Sequence, residues 1–366
     1  MGKIGTNYGE HFGRNSLKRF FASSISSKIT NNKWAGELKG GKGDRVNILT
    51  YGLNDWEVYT GADFTFNDVS EIEGQLILEK QYHNAFKILD WDRFKTYATD
   101  ADSTESENAG ELLKELVDTY NLSFYADAHR RVGTDYTTGT LSIDVSGNVT
   151  GSGTTFTSAM EDAPFKAVGH TKWYRVKTYT NATSISIEED SDDTTTSYGG
   201  GAIGTTAAQV AYTIEGYAKL QVTATGTNDI DSVVLKAKEA LDFEKIPKKG
   251  RFLVVCSKLE SILLQSNKLT PYTPSAYEDV VKMGIIGMFR GFIVISSEQV
   301  AGNNSDGFHC LAGHPAGITH AFVQVSAKTV VDLENNFGKG YKQLVAYGSK
   351  VLDERRKALV DLWLYV

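Results

Sequence analysis

Alternating apolar and polar positions predict two strands near the start of the chain. Val46, Ile48 and Tyr51 alternate with polar neighbours, and strand-like composition returns at residues 75–86. The two stretches therefore predict two strands joined by a long connection. We therefore predict an extension built from two strands.

The connection between these strands, residues 52–74, is polar and aromatic and contains few aliphatic residues. Its large aromatic residues are Trp56, Tyr59, Phe64 and Phe66. An isolated hairpin is only marginally stable in water and cannot bury such side chains by itself. We expect the extension to lie against something else, such as another copy of the chain.

Residues 104–131 carry the clearest helical pattern. Thr104-Glu-Ser-Glu107 has the form of a capping box, which predicts the start of the helix. One face is apolar, with Leu113, Leu116, Val117, Tyr120 and Phe124. The other face is polar, with Glu111, Lys114, Glu115 and Asp118. Arg130 and Arg131 suit the negative end of the helix dipole, so the helix is expected to end there.

Residues 133–217 change in character and predict a small all-β unit. Short apolar stretches that resemble strands alternate with Gly, Asn, Ser and Asp turns, at residues 140–144, 149–156, 173–178, 184–187 and 210–214. Ten acidic residues face four basic ones, so this zone has a net charge of -6. The zone looks inserted between the long helix and the sequence that follows it.

The remainder of the chain is mixed α/β. Residues 228–241 predict an amphipathic helix capped by Asn228 or Asp229, and residues 258–269 predict another. Buried strands are expected at residues 251–256 and 291–295. Residues 328–334 and 343–347 are expected to pair antiparallel, and residues 358–366 are expected to close the chain as an apolar strand.

Charge is distributed unevenly along the chain. The 366 residues carry a formal charge of -7, yet residues 1–45 hold nine basic and three acidic residues, a net +6. A basic leader of this kind is either a mobile tail or an arm that lies on an acidic partner or subunit. The adjacent pair Phe20 and Phe21 favours an arm that docks. If so, deleting residues 1–33 should spare folding of the monomer but impair assembly.

Composition narrows the class of protein. The chain is 41% hydrophobic and 11% aromatic, enough for packed cores. Its two cysteines, Cys256 and Cys310, cannot form a disulfide framework, which favours a reducing compartment. No secretory signal and no apolar stretch near the ~18 residues of a membrane span is visible, so we expect no membrane partner.

Motifs for catalysis or ligand binding are weak. Residues 36–43 have the spacing of a phosphate-binding loop but end in Gly43, where Ser or Thr is required. His309, Cys310, His314 and His320 form the one His/Cys cluster, without the paired spacing of a zinc site. Asp192 and Asp193 lie in a Gly-rich acidic loop that is more typical of a solvated surface. We therefore predict no catalytic, cofactor-binding or metal site, and no enzyme.

The order of these zones resembles the major capsid proteins of tailed double-stranded DNA phages, which have the Hong Kong 97-like fold. The stretches that carry the resemblance are the basic arm, Lys42-Gly-Asp-Arg-Val-Asn-Ile48, residues 76–86, the helix of residues 104–131, Ile246-Pro-Lys-Lys-Gly-Arg-Phe-Leu-Val-Val255, Gly284-Ile-Ile-Gly287, Gly291-Phe-Ile-Val294 and Ser296-Ser297. Residues 149–156 resemble a small β domain of several phage structural proteins.

The resemblance implies an α+β capsid fold with an all-β insertion. Its parts would be an N-terminal arm (1–41), an extended loop with flanking strands (42–86), a peripheral domain with a spine helix (87–132), the inserted β domain (133–217), an axial domain (218–325) and returning peripheral strands (326–366). The short N-terminus implies that no scaffolding segment is cleaved from this chain.

The resemblance further implies a structural subunit that self-assembles into an icosahedral head around phage DNA. Its partners would be copies of itself in pentamers and hexamers, scaffolding and portal proteins, non-specifically bound double-stranded DNA and a decoration protein. It would reside in the virion capsid after assembly in the host cytoplasm. The expected contacts between subunits are Phe20, Phe21, Arg45, Trp56, Tyr59, Phe64 and Phe66.

One alternative comes from a different functional class. The β unit could bind carbohydrate or a receptor on the virion surface. Its candidate aromatic residues for such a platform are Trp173, Tyr174, Tyr179 and Tyr198, which are few for a sugar-binding surface.

Overall fold

The computed structural model describes residues 16–20, 24–34, 36, 45–51, 71–90, 101–170, 173–189, 206–226, 228–266, 270–271, 284–330 and 337–366. Residues 16–20 are helical, and further α-helices are α1 (Ser26–Ile29), α2 (Ala101–Leu122), α3 (Ile230–Phe243) and α4 (Ser257–Gln265). Short 3-10 helices are formed by Ser123–Asp127, Ser158–Met160 and Asp353–Ala358. None of the helices in the described residues is long and apolar enough to cross a bilayer.

The long helix α2 differs from its prediction at both ends. It begins at Ala101, so the proposed cap at Thr104 is wrong because that residue lies inside the first turns. The α-helix ends at Leu122 and tightens into a 3-10 turn, where the Ser123 hydroxyl bonds the Tyr120 carbonyl. Arg130 and Arg131 do not cap the helix. They belong to a short strand that pairs with the end of the chain.

A four-stranded sheet lies against α2. Its strand order is β1-β21-β22-β4. Its strands are β1 (Thr30–Asn31), β4 (Lys80–Leu89), β21 (Ile318–Val330) and β22 (Gly338–Val351). The two segments predicted to pair do lie in antiparallel neighbouring strands, but residues 343–347 are opposite residues 322–327 and not residues 328–334. Leu113 and Val117 of α2 pack on Phe322, Val345 and Tyr347 of this sheet.

The predicted two-stranded extension is present. Strands β2 (Arg45–Tyr51) and β3 (Glu71–Ile77) pair antiparallel along their whole length, from Arg45 opposite Ile77 to Tyr51 opposite Glu71. Val46, Ile48 and Leu76 pack on Ala321 and Leu352, which fixes the base of the hairpin to the four-stranded sheet. The connection at residues 52–70 lies outside the described residues.

The predicted all-β zone is an eight-stranded sheet with its own core. The strand order is β12-β7-β8-β11-β10-β9-β13-β6. The strands are β6 (Thr134–Tyr136), β7 (Thr140–Ile143), β8 (Asn148–Ser152), β9 (Pro164–Ala167), β10 (Tyr174–Asn181), β11 (Ser184–Glu189), β12 (Thr206–Val210) and β13 (Tyr212–Ala218). Alternate residues such as Leu141, Ile143, Ile185 and Ile187 point into a core separate from the rest of the chain.

The largest core surrounds a nine-stranded sheet. Its main order is β14-β23-β20-β15-β18-β17-β16, with β19 beside β20 and β5 beside β23. The strands are β5 (Arg130–Val132), β14 (Leu220–Gln221), β15 (Phe252–Val255), β16 (Thr270–Pro271), β17 (Ile285–Phe289), β18 (Phe292–Ser296), β19 (Ala301–Asn303), β20 (Gly307–Gly313) and β23 (Leu359–Tyr365). Helices α3 and α4 contribute buried residues to this core.

The elements around this sheet follow the sequence pattern closely. Helix α3 is capped by Asp229, whose side chain accepts from the Ser232 amide at 2.9 Å. The turn after α3 is held by the buried Arg251, which donates to the carbonyls of Ile246 and Pro247. Helix α4 ends at Gln265, short of the predicted residue 269.

The strands of the C-terminal segment, residues 326–366, are divided between two sheets. The unit at residues 326–366 was expected to return wholly to the sheet beneath the long helix. Strand β23 instead runs antiparallel to β20, with Phe308 opposite Leu364, inside the nine-stranded sheet. Apolar and polar residues hardly alternate along β23, because both of its faces are buried. Such a sequence predicts a buried strand but does not indicate which sheet the strand joins.

The N-terminal arm is partly an element of the core. Phe20, Ile25 and Ile29 are at most 3% exposed, and Thr30–Asn31 pairs parallel with Ile318–Thr319. These contacts argue against the expectation that residues 1–33 can be deleted without harm to the monomer. Removing them would expose apolar surface on α2, on the four-stranded sheet and in the core of the nine-stranded sheet.

Separate cores predict separate unfolding transitions. We expect Phe165→Ala, at a site with 0% exposure in the eight-stranded sheet, to destabilise that sheet by about 3–5 kcal/mol. Scanning calorimetry should show its transition shifting while the transition of the nine-stranded sheet stays in place. Val168→Ala, at a site 63% exposed, is the control. Equal shifts of both transitions would mean that the chain unfolds as one unit.

Candidate functional site

The N-terminal arm is held on α2 by a buried carboxylate. Asp118 is 0% exposed and accepts from the hydroxyls of Ser24 and Ser26, each at 2.6 Å. It also accepts from the backbone amides of Ile25, at 3.3 Å, and Ser26, at 3.2 Å. Burial raises the pKa of Asp118, and these hydrogen bonds oppose that rise. The arm thus supplies the donors that make burial of this carboxyl tolerable.

A chain of hydrogen bonds continues from the arm into the four-stranded sheet. Asn121 donates to Ser26 at 2.8 Å, and Ser349 donates to Asn121 at 2.5 Å. His320 Nδ1 lies 2.7 Å from the Ser349 hydroxyl. Since the Ser349 hydrogen is already used, His320 Nδ1 must be the donor. Burial lowers the pKa of His320 to about 4, consistent with a neutral imidazole that donates from this nitrogen.

These donors and acceptors run in one direction from β21 to α2. The order is His320, Ser349, Asn121, Ser26 and then Asp118, and all five residues are buried. Buried polar groups need partners, and a connected network fixes one arrangement of the elements that carry them. The network therefore sets the position of the arm relative to both the helix and the sheet.

Apolar contacts and an ion pair add to this seat. The Phe20 ring stacks on Phe322 with centroids 5.1 Å apart and packs near Val117. Arg19 lies 2.6 Å from Glu111 at the surface of the helix. Phe20 was predicted to contact a neighbouring subunit, whereas the structure places its ring inside its own chain, 2% exposed.

Gly110 lets the arm approach α2 closely. A Cβ at this position would lie 2.5 Å from the Ser16 carbonyl oxygen and 3.0 Å from the Arg19 Cβ. Residues 16–20 are themselves helical and cross α2 at this point. Sequence reasoning missed Gly110, although a glycine inside a strong helical pattern is the signal of such a close approach.

The other predicted contact residues are mostly beyond what the structure describes. Arg45 is exposed at the base of the hairpin, on β2. Phe21, Trp56, Tyr59, Phe64 and Phe66 lie outside the described residues. Their role between subunits stays a prediction.

The eight-stranded sheet is joined to the rest of the chain by arginines. Arg130 makes a two-pronged ion pair with Glu215, at 2.6 and 2.7 Å, and its guanidinium lies 3.7 Å from the centre of the Trp173 ring. Arg175 donates to the Ala128 carbonyl at 2.6 Å. Burial raises the pKa of Glu215, and Arg130 opposes that rise.

The aromatic residues proposed for carbohydrate binding are mostly covered by other side chains in the structure. Trp173 is covered by Arg130 and Lys166, and Tyr174 is 2% exposed. Tyr179 packs partly against the core of the sheet, and Tyr198 lies outside the described residues. The described part of the sheet therefore offers no stacked aromatic surface for carbohydrate.

The His/Cys cluster is spread over separate structural contacts. His309 lies 2.9 Å from Asp361, between the rings of Tyr125 and Trp363. Cys310 is buried, which raises the pKa of its thiol, and His320 belongs to the arm network. Within the described ranges, no group of three or more His, Cys, Asp or Glu is placed to hold a metal ion.

Comparison with solved structures decides the fold. No family model and no curated protein matches the chain. A structure of Mycobacterium phage Che8 matches with a TM-score of 0.53 at 15% identity, covering 93% of this chain and 91% of the other. The capsid of Ralstonia phage GP4 matches with a TM-score of 0.51 at 12% identity, covering 89% and 84%. The chain has a phage capsid fold.

Further matches agree with this assignment. The capsid of cyanophage P-SCSP1u covers 88% of the chain, and the chain covers 84% of it, with a TM-score of 0.50 at 12% identity. The predicted α+β capsid fold is therefore confirmed. At such low identity the likeness concerns the path of the chain and not individual residues.

The close approach at Gly110 gives a test of the arm's seat. Gly110→Ala should favour the helix by up to about 1 kcal/mol, yet its methyl group collides with the Ser16 carbonyl. We expect trypsin to cleave at Lys18 or Arg19 several-fold faster than in the parent. Asn108→Ala, an exposed position of the same helix, is the control. Equal cleavage of all three proteins would show that the arm does not depend on this contact.

The lowered pKa of His320 makes the network sensitive to acid. A histidine with a folded-state pKa of about 4 adds about 3 kcal/mol at neutral pH, which is lost as the pH falls from 6.5 through 4. Asp118 acts oppositely, because its raised pKa adds stability as the pH falls. His320→Asn keeps a donor toward Ser349 but removes the titration. Hydrogen exchange of β21 and β22 should show a smaller acid destabilisation in this variant, and an unchanged loss would contradict the assignment.

Proposed function

We propose that this chain is the major capsid protein of a tailed double-stranded DNA phage. The observation that carries the proposal is a match to capsid structures over nearly the whole chain, 88–93% for the three compared structures. Each of these matches also covers 84–91% of the compared chain. The function would be structural, without catalysis.

The layout of the subunit supports assembly into a shell. Within the described residues, β2 and β3 pair with each other and with no further strand, and Val46, Ile48 and Leu76 attach the hairpin at its base. Two strands of this length gain stability when they lie on another surface. Neighbouring copies in pentamers and hexamers supply such surfaces, and many modest contacts add to a stable shell.

The partners follow from this role. Scaffolding and portal proteins would direct assembly in the host cytoplasm, and double-stranded DNA would fill the head. The net charge of -7 disfavours tight non-specific binding to phosphates, which would let DNA move during packaging. The acidic eight-stranded unit is proposed to be an insertion that faces outward, where a decoration protein could bind it.

The first experiment is expression of the chain alone. Electron microscopy and sedimentation should show shells, tubes or capsomers. A product that stays monomeric at high concentration, even with the scaffolding protein encoded beside it, would contradict the proposal.

The aromatic residues of the hairpin connection give a sharper test. Replacing Trp56, Tyr59, Phe64 and Phe66 together by Ser should abolish assembly, because the neighbouring copy loses its apolar anchors. The melting temperature of the monomer should change by less than about 2 °C, since these residues lie beyond the paired strands. Val145→Ser with Val168→Ser, both exposed on the eight-stranded sheet, is the control and should assemble normally. Normal shells from the fourfold variant would rule out this contact.

A further inference from the structure

An apolar groove runs between α2 and the edge strand β4. Its volume is about 380 Å³. Leu112, Leu116 and Tyr82 line it and are 59%, 42% and 40% exposed. On the same helix Leu113 and Val117 are buried, so two exposed leucines one turn apart mark a surface that another chain segment can cover.

The groove also contains an unpaired buried donor. Gln343 of β22 lines it and is 5% exposed, yet no described atom accepts from its side-chain nitrogen. Leaving such a group without an acceptor costs about 1–3 kcal/mol. The groove therefore combines apolar side chains with a donor suited to a backbone carbonyl, which is what a peptide segment presents.

We propose that residues 1–15 of the same chain occupy this groove. Ser16, the first described residue, is part of the groove's wall, so the preceding segment starts from the site itself. Fifteen residues can reach about 50 Å when extended, whereas Leu112 and Leu116 are only about 6 Å apart along the helix. The segment is therefore more than long enough.

The composition of residues 1–15 fits the groove. Apart from Met1, its large apolar side chains are Ile4, Tyr8 and Phe12, which recur every four residues. Burying them over Leu112 and Leu116 would remove apolar surface of both from water. Every residue of the segment also carries a carbonyl that can accept from Gln343.

Charge favours the same occupant. Lys3 and Arg14 outnumber Glu10 in the segment. The exposed surface of α2 carries Glu105, Glu107 and Glu115. Arg19 already pairs with Glu111 of this helix. The net positive residues 1–15 precede Arg19 directly and are attracted to the same acidic helix surface. The inference concerns the single chain and does not depend on assembly.

Thiol labelling of the full-length subunit tests the proposal. Leu116→Cys places a reactive group in the groove, and the native Cys256 and Cys310 are buried. In this background we expect Ile4→Asp, Tyr8→Asp and Phe12→Asp together to speed labelling of residue 116 at least tenfold. Thr6→Asp, Asn7→Asp and Asn15→Asp together change the charge equally and should leave the rate unchanged.

Further controls separate the alternatives. Leu264→Cys, on α4 and 52% exposed, should label at one rate in every background. Rates are compared in unassembled subunits over a hundredfold dilution, with sedimentation to verify the monomer. Protection of residue 116 that disappears on dilution would identify a second copy as the occupant and overturn the proposal. Equal labelling in the apolar variant and its parent would overturn it as well.

Discussion

The burial of Asp118 is the constraint on which the arrangement of arm, helix and sheet depends. A carboxyl group removed from water is unfavourable unless donors surround it, and here the donors come from Ser24, Ile25 and Ser26 of the arm. Without the arm, the carboxyl of Asp118 would be buried on α2 without donors. Without that carboxyl, the hydroxyls and amides of the arm from Ser24 to Ser26 would lose their acceptor. Each element supplies what the other requires.

The same dependence reaches the four-stranded sheet through hydrogen-bond direction. Ser26 donates to Asp118 and accepts from Asn121, and Ser349 donates to Asn121. A hydroxyl has one hydrogen, so each donation fixes the role of the next group. The neutral state of His320 completes the order. A polar chain of this kind discriminates between alternative arm positions more strongly than apolar contacts such as Phe20 on Phe322, which tolerate small shifts.

Local patterns in the sequence predicted the elements that local physics determines. The alternation of Val46 and Ile48 gave β2, and regular turns gave most strands of the eight-stranded sheet. Patterns failed where distant segments decide the outcome. Asp118 lies among charged residues and was assigned to the polar face of the helix, yet the arm covers it. Similarly, β5 pairs with β23 across more than 200 residues, which no local pattern can indicate.

The positive charge of the N-terminal arm is partly paired within the chain itself. A basic arm suggested an acidic partner outside the chain, but Arg19 of the arm pairs with Glu111 of α2 in the same chain. Phe20, expected at a subunit boundary, is likewise used internally. Because Phe20, Ile25 and Ile29 of the arm are already buried within the chain, they are not free to anchor a neighbouring copy, and under the proposed function the hairpin is the better candidate for such contacts.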